Sequence, residues 1–120
     1  SQARLMVQQK DTSGAVAAYN ALAEDNSLDS LYRDLAIILG ALVEINFPSA
    51  NLEILKQKLK KLSVENNPWR FSAREISAIV NKKTGANIEA MELLKDLEND
   101  KSTPKGIRNR AKEMLSIMDQ

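Results

Sequence analysis

One apolar stretch, Asp29 to Asn46, constrains the fold of this 120-residue chain more than any other segment. Its sequence, DSLYRDLAIILGALVEIN, places apolar residues along one helical face and makes most of the opposite side apolar as well. Such a helix must be covered on several sides. It is too short for a membrane span, and charged residues interrupt it. We therefore predict the buried central helix of a small helical domain, with Leu39 and Leu42 among its most sensitive positions. The face residues are Leu31, Leu35, Ile38, Leu42 and Ile45.

Missing residue types exclude several kinds of chemistry. The chain has no Cys, which excludes disulfides and thiolate metal sites, and no His, which removes the usual general base and imidazole metal ligands. The sequence also contains no Gly-rich phosphate loop and no metal-ligand spacing. We therefore predict a protein that is not an enzyme, with no catalytic residue, cofactor, metal or small-molecule substrate. An enzyme that uses Lys or carboxylates ranks last among the alternatives.

The charge balance gives no general reason to expect a nucleic-acid partner. Lys and Arg number 17, and Asp and Glu number 16. The segment Lys56 to Lys61, KQKLKK, has the charge to bind phosphate, but it lacks interleaved aromatic residues and Leu59 belongs to a core face. A solvated helix surface is the favoured interpretation, and we predict no specific nucleic-acid binding.

Turn and cap signals divide the chain into about seven helices, and no β alternation competes with them. Turn-forming residues from Lys10 to Gly14 predict two separate helices before the central one. Asp29 and Asn67 are predicted helix caps, and Gly85 suits a left-handed helix stop. Outside the central helix, the predicted core positions are Ala15, Tyr19, Leu22, Leu52, Leu55, Leu59, Leu62, Trp69, Ala73, Ile76, Val80, Ile88, Met91, Leu94, Leu97, Ile107, Ala111, Met114, Leu115 and Met118.

This register repeats along the chain. Ala15, Tyr19 and Leu22 correspond to Ala90, Leu94 and Leu97, and Leu55, Leu59 and Leu62 fit the same positions in between. The intervals, about 35 to 40 residues, are near the period of tetratricopeptide helix pairs. The chain resembles a tetratricopeptide repeat array, in which Leu39-Gly40 is similar to the Leu-Gly pair of a first helix. The resemblance implies an all-α fold of antiparallel helix pairs, stacked in a right-handed superhelix as a single domain over residues 1–120.

A narrower resemblance covers roughly residues 14 to 118. The runs AAYNALAEDNSLDSLYRDLA, NPWRFSAREISA and TPKGIRNRAKEML are similar to the soluble domain of alphaproteobacterial envelope proteins related to the ancillary subunit of the SecYEG translocon. The resemblance implies a C-terminal fragment of a longer protein. It also implies an N-terminal anchor in the inner membrane, absent from this chain, and a domain that faces the periplasm. The resemblance to this family implies no catalytic residues in the chain.

These observations predict a protein–protein interaction module, either an envelope scaffold or a translocon- or chaperone-associated factor, whose partner is a protein or an extended peptide. The alternative is a structural domain that oligomerises or spaces a membrane anchor, so a homo-oligomer is possible. In tetratricopeptide arrays the first helices line the concave side; here they are Ala3 to Gln9, Asp29 to Asn46 and Trp69 to Lys82. Their predicted partner-binding residues are Arg33, Arg70, Arg74 and Asn81, and the last two replace large aromatics. Alternatively, the arginines pair with Asp34 and Glu75 inside the domain.

Overall fold

A computed structural model describes residues 2–119, and this part of the chain is all-α without any strand. Its six helices are α1 (Gln2–Ala23), α2 (Ser30–Glu44), α3 (Leu52–Leu62), α4 (Arg70–Lys83), α5 (Asn87–Asn99) and α6 (Lys105–Met118). None of these described helices has the length and apolar character needed to cross a membrane. The chain divides into two compact units, Ser1–Ala50 (the first unit) and Asn51–Gln120 (the second unit). The prediction of an all-α fold is confirmed.

The helix count is six instead of about seven because α1 is continuous. The predicted break from Lys10 to Gly14 was wrong. Residues such as Thr12 and Gly14 cost at most about 1 kcal/mol each relative to Ala inside a helix, and only Pro costs much more. The Thr12 hydroxyl donates to the Gln8 carbonyl at 2.8 Å, so its polar group is satisfied within the helix.

In the first unit α2 packs against α1 through small residues. Its start matches the prediction, because the Asp29 carboxylate accepts the Leu31 N–H at 2.9 Å. A Cβ atom added to Gly40 would lie 3.1 Å from the Tyr19 Cβ, so glycine permits the close approach of the two helices. The buried residues of α2 are Ala36, Ile38, Gly40 and Ala41.

That burial pattern corrects the expectation for the central helix. Leu42 is 47% exposed and Leu31 is 38% exposed, so the larger side chains of the predicted face are not all covered. The prediction that Leu42 is covered was therefore wrong, whereas Ile38 and the following Ile45 are buried as expected. The small residues of α2 are buried because they allow α1 to come close.

The second unit has the larger core, built where α4 packs against α3 and α5 and where α5 packs against α6. Its most completely buried large side chains are Leu55, Leu59, Val80, Leu94 and Leu97, all of which the periodicity predicts. Ile88 was wrongly placed in the core and is 73% exposed. Ala90 is buried instead, because it shares the helical face of Leu94 and Leu97.

The ends of α4 match the predicted start and stop signals, except that the helix begins later than predicted. The Asn67 side chain accepts the Trp69 N–H at 2.8 Å, but the helix begins only at Arg70, after a turn at residues 68–69. Gly85 has a φ of +82°, as predicted for a left-handed stop. On the side of α4 that contacts α6, Glu75 accepts two bonds from Arg110 at 2.6 and 3.0 Å, and this contact raises the pKa of the Arg110 guanidinium.

Candidate functional site

Three of the four predicted partner-binding residues lie on one stripe of α4. Arg70, Arg74, Ser77 and Asn81 follow one another at intervals of four, three and four residues, which is the spacing of a single helical face. The last three of these line recesses whose other walls come from α3, from the segment that follows α3 and from α5. The stripe is therefore the floor between two neighbouring helices.

The larger recess, which we call the main groove, has a volume of about 400 Å³. It is lined by Glu53, Lys56, Gln57, Lys60 and Ser63 from α3 and its end, by Ser77 and Asn81 of α4, and by Glu89 and Leu93 of α5. Lys56 pairs with Glu53 at 3.4 Å, whereas Lys60 is exposed and makes no ion pair within residues 2–119. The walls thus combine Leu93 and the methylene stems of the lysines with a few polar groups.

At the floor of the main groove, the Asn81 amide has hydrogen-bonding capacity to spare. Its Nδ2 donates to the Ser77 carbonyl at 2.9 Å, which uses one of the two amide N–H bonds. The second N–H and the amide oxygen have no other partner among the described residues. A primary amide in this state can bond the N–H and C=O groups of another chain's backbone.

A second recess, the acidic notch, continues the stripe toward the start of α4. Its lining residues are Glu65, Arg74, Asp96, Asn99 and Asp100, and its volume is about 370 Å³. The main groove contains Asn81 and Glu89, from the end of α4 and the start of α5, while the notch contains Arg74 and Asp100, from the opposite ends. Consecutive helices therefore run antiparallel here, and both recesses lie along one strip of the second unit.

Arg74 lines the acidic notch and is held by contacts within the unit. Its Nε and Nη2 donate to the Ser63 carbonyl at 3.2 and 2.9 Å. Nη2 also lies 3.5 Å from a Glu65 carboxylate oxygen, and only 15% of the Arg74 side chain is exposed. Because Ser63 caps the C-terminus of α3, Arg74 satisfies a carbonyl that the helix leaves without a partner. Arg74 thus holds the end of α3 against α4.

The other two predicted arginines differ from Arg74 and from each other. Arg70 is half-buried; its Nη1 donates to the Asn67 carbonyl at 3.1 Å, and its guanidinium lies 4.3 Å from the centre of the Phe71 ring. Arg33 lies in the first unit, where its Nη1 donates to the Asn26 side chain at 3.3 Å. The alternative in which Glu75 pairs with one of these arginines is wrong, since Glu75 binds Arg110.

Sequence reasoning missed Lys60, Ser77 and Leu93 as parts of the site. Ser77 had a usable signal, because it falls on the stripe between Arg74 and Asn81. Lys60 belongs to the basic segment that was interpreted as a solvated surface, and Lys61, its neighbour, does not line the groove. Leu93 carries no signal, because half-buried leucines are common on amphipathic helices.

Among the described residues, no group of three or more His, Cys, Asp or Glu side chains could hold a metal ion. Comparison of the chain with protein-family models, with curated proteins and with solved structures finds no match.

Proposed function

We propose that the chain is a non-catalytic protein–protein interaction module that binds an extended segment of a partner protein in the main groove. One observation carries the proposal: an open recess of about 400 Å³ combines apolar walls with the Asn81 amide at its floor. Ligand sites of this kind usually have volumes of about 300 to 1,000 Å³ and a few polar groups that fix orientation. The groove suits the side chains and the backbone of a short peptide.

The origin of the groove supports a tetratricopeptide-like arrangement as part of this proposal. In that arrangement large aromatics would occupy the positions of Arg74 and Asn81 and fill the space between consecutive helix pairs. The shorter Asn81, next to the small Ser77, leaves this space open. We also propose that the helix pairs stack in a right-handed superhelix and that residues 1–120 form one domain. They rest on the repeated register and on the antiparallel helices of the second unit.

The proposal includes a location in the cell envelope, with the domain facing the periplasm behind a membrane anchor. Its support is the resemblance of residues 14 to 118 to translocon-related envelope proteins. We therefore expect the partner to be an envelope or exported protein, bound as an extended segment. The proposed role is that of a scaffold or a translocon- or chaperone-associated factor.

Pull-down from an envelope extract, with bound proteins identified by mass spectrometry, tests the proposal. Asn81→Tyr places a large side chain in the groove and is expected to reduce capture of the specific partner about tenfold or more, a loss of roughly 1.4 kcal/mol. Lys82→Tyr is the matched control, because Lys82 is the next residue of α4, is exposed and does not line the groove. It should retain capture, and both variants should keep the helical circular dichroism signal. Equal capture by the wild type and Asn81→Tyr would contradict the proposal.

A structural role is the second candidate, favoured by exposed apolar side chains on α5 and α6. Ile88 is 73% exposed and Ile117 is 63% exposed, so each is available for contact with a second copy. Under this alternative the captured protein is the chain itself, and Ile117→Ser lowers the sedimentation-derived mass while Asn81→Tyr does not.

A further inference from the structure

We propose that Met91, Met114 and Met118 form an oxidant-sensitive site, at which a peroxide converts the methionines to sulfoxides and loosens α6 from α5. We call these three residues the methionine cluster. The proposal does not depend on the proposed function, because none of the three lines the main groove. It concerns a covalent modification and its effect on the stability of the second unit.

Methionine provides all the sulfur of this chain. The sequence contains four Met and no Cys, so a peroxide meets no thiol and reacts with thioethers instead. Three of the four methionines lie in α5 and α6, and the fourth, Met6, lies in α1. The second unit therefore contains most of the oxidisable sulfur of the chain.

The methionine cluster combines partial exposure with contact to the core. All three side chains are half-buried, and all three pack against one group of buried residues. A fully buried thioether is shielded from a dissolved oxidant, and a fully exposed one has no packing to lose. Partial burial meets both conditions, since the oxidant has access and the product disturbs the core. The buried group consists of Phe71, Ala78, Leu94, Leu97, Ile107, Ala111 and Leu115.

Solvent reaches the end of the α5–α6 pair at which the methionines lie. The two helices pack against each other and are joined by a short loop, so they run antiparallel. Met91, near the start of α5, is therefore at the same end of the pair as Met114 and Met118 of α6. Ile88 is 73% exposed and Ile117 is 63% exposed, one on each helix at this end. A dissolved peroxide can thus approach the methionine cluster.

Within the described part of the chain, apolar packing alone holds this end of α6 against the other helices. The start of α6 has polar contacts, because Arg108 donates to three carbonyls of the loop before the helix and Arg110 pairs with Glu75. No side chain of residues 112–119 makes a hydrogen bond or an ion pair with another described helix. A change in the methionines therefore affects the only contacts that hold the end of α6.

The reaction needs only the peroxide as a co-reactant. The thioether sulfur attacks one peroxide oxygen, so that an S–O bond forms and the O–O bond breaks. The sulfur gives two electrons to the peroxide. With hydrogen peroxide, the departing hydroxide takes the proton of the transferred OH group and leaves as water. Each methionine gains one oxygen atom, and methionine sulfoxide reductases reverse the change.

A sulfoxide in the methionine cluster changes the packing of α6. Its oxygen is a strong hydrogen-bond acceptor, and burying an acceptor without a donor is costly. The new oxygen gains water as a donor when the end of α6 moves away from the buried residues. Oxidation therefore loosens α6 from its C-terminal end, while the contacts of Arg108 and Arg110 still hold its start.

Treatment of the folded full chain with hydrogen peroxide tests the proposal. Peptide mass spectrometry measures the oxidised fraction of each methionine, and circular dichroism follows thermal unfolding before and after treatment. Oxidation of the methionine cluster is expected to lower the melting temperature by about 5 °C or more, because each buried acceptor without a donor destabilises a domain of this size by several degrees. Methionine sulfoxide reductases should then restore the original melting temperature.

A variant that combines Met91→Leu, Met114→Leu and Met118→Leu should fold, because leucine has nearly the volume of methionine, and it should not respond to peroxide. Met6→Leu is the matched control and should respond as the wild type does. If the triple variant does not fold, each single variant should lose part of the response, and a full response in all three would overturn the proposal. An unchanged melting temperature with sulfoxides at all three positions would overturn it too, as would oxidation confined to Met6 or an equal response of the folded triple variant.

Discussion

Leu94→Ala and Leu97→Ala are each expected to lower the free energy of unfolding by roughly 2–5 kcal/mol. Both side chains are 0% exposed. They belong to the cluster in which α4, α5 and α6 meet, together with Phe71, Ile107 and Leu115. Removing a buried isobutyl group loses its transfer free energy and leaves a cavity that the surrounding helices fill only partly. Urea unfolding of the full chain, followed by circular dichroism at 222 nm, measures the change.

Ile88→Ala provides the control in the same helix. Ile88 is 73% exposed, so the substitution removes little buried surface and is expected to change stability by less than about 1 kcal/mol. A similar cost for Ile88→Ala and Leu94→Ala would mean that the face of α5 is wrongly assigned. Leu42→Ala should also have a small effect, because Leu42 is 47% exposed.

Arg74→Glu is expected to lower the free energy of unfolding by roughly 2–4 kcal/mol. The substitution removes both bonds to the Ser63 carbonyl and the contact with Glu65. It also places a carboxylate beside a carbonyl oxygen and another carboxylate, at a position where the wild-type side chain is only 15% exposed. The end of α3 then loses the group that satisfies it. The same urea titration gives the result.

Arg70→Glu is the comparison for Arg74→Glu, because Arg70 shares its stripe but makes fewer contacts. It loses one bond to the Asn67 carbonyl and the stacking on Phe71, which together predict a loss of about 1 kcal/mol. If Arg74→Glu instead leaves the unfolding midpoint unchanged and abolishes partner capture, Arg74 is a contact residue and its structural assignment is wrong. If the Arg74→Glu variant loses both partner capture and stability, the role of Arg74 is to stabilise the fold.

The sequence predicted the core best where one helical face is distinctly apolar. Leu59, Leu94 and Leu97 lie in segments rich in charged residues, so helical spacing identifies the buried side, and all three are buried. In α2 every residue from Leu35 to Val43 is apolar or Gly, and spacing alone could not select a buried face there. There the close approach of Gly40 to Tyr19 determines the packing, and the neighbour of a glycine is a tertiary property. The break predicted near Gly14 failed because weak helix formers do not end a helix unless a better partner replaces its bonds.

Two residues of the candidate site could be recognised in the sequence, whereas their contacts could not. Arg74 and Asn81 stood out because polar residues occupied positions where packing residues were expected. What Arg74 does could not be read from the sequence, because its acceptor is the Ser63 carbonyl, eleven residues earlier and at the end of another helix. The main groove likewise draws residues from α3, α4 and α5, and only the packing of these helices brings them together.

Chemical-shift mapping tests the central claim, that a partner segment binds in the main groove, most directly. The ¹⁵N-labelled chain is titrated with synthetic peptides that cover the partner protein captured in the pull-down, and the backbone amide shifts are followed residue by residue. The account predicts the largest changes at Lys60, Ser77, Asn81 and Leu93, which line the groove. Lys82 and Glu92, exposed residues of α4 and α5 outside the groove, should change little. Shifts concentrated at Lys82, Glu92 or α6, with the groove residues unchanged, would contradict it.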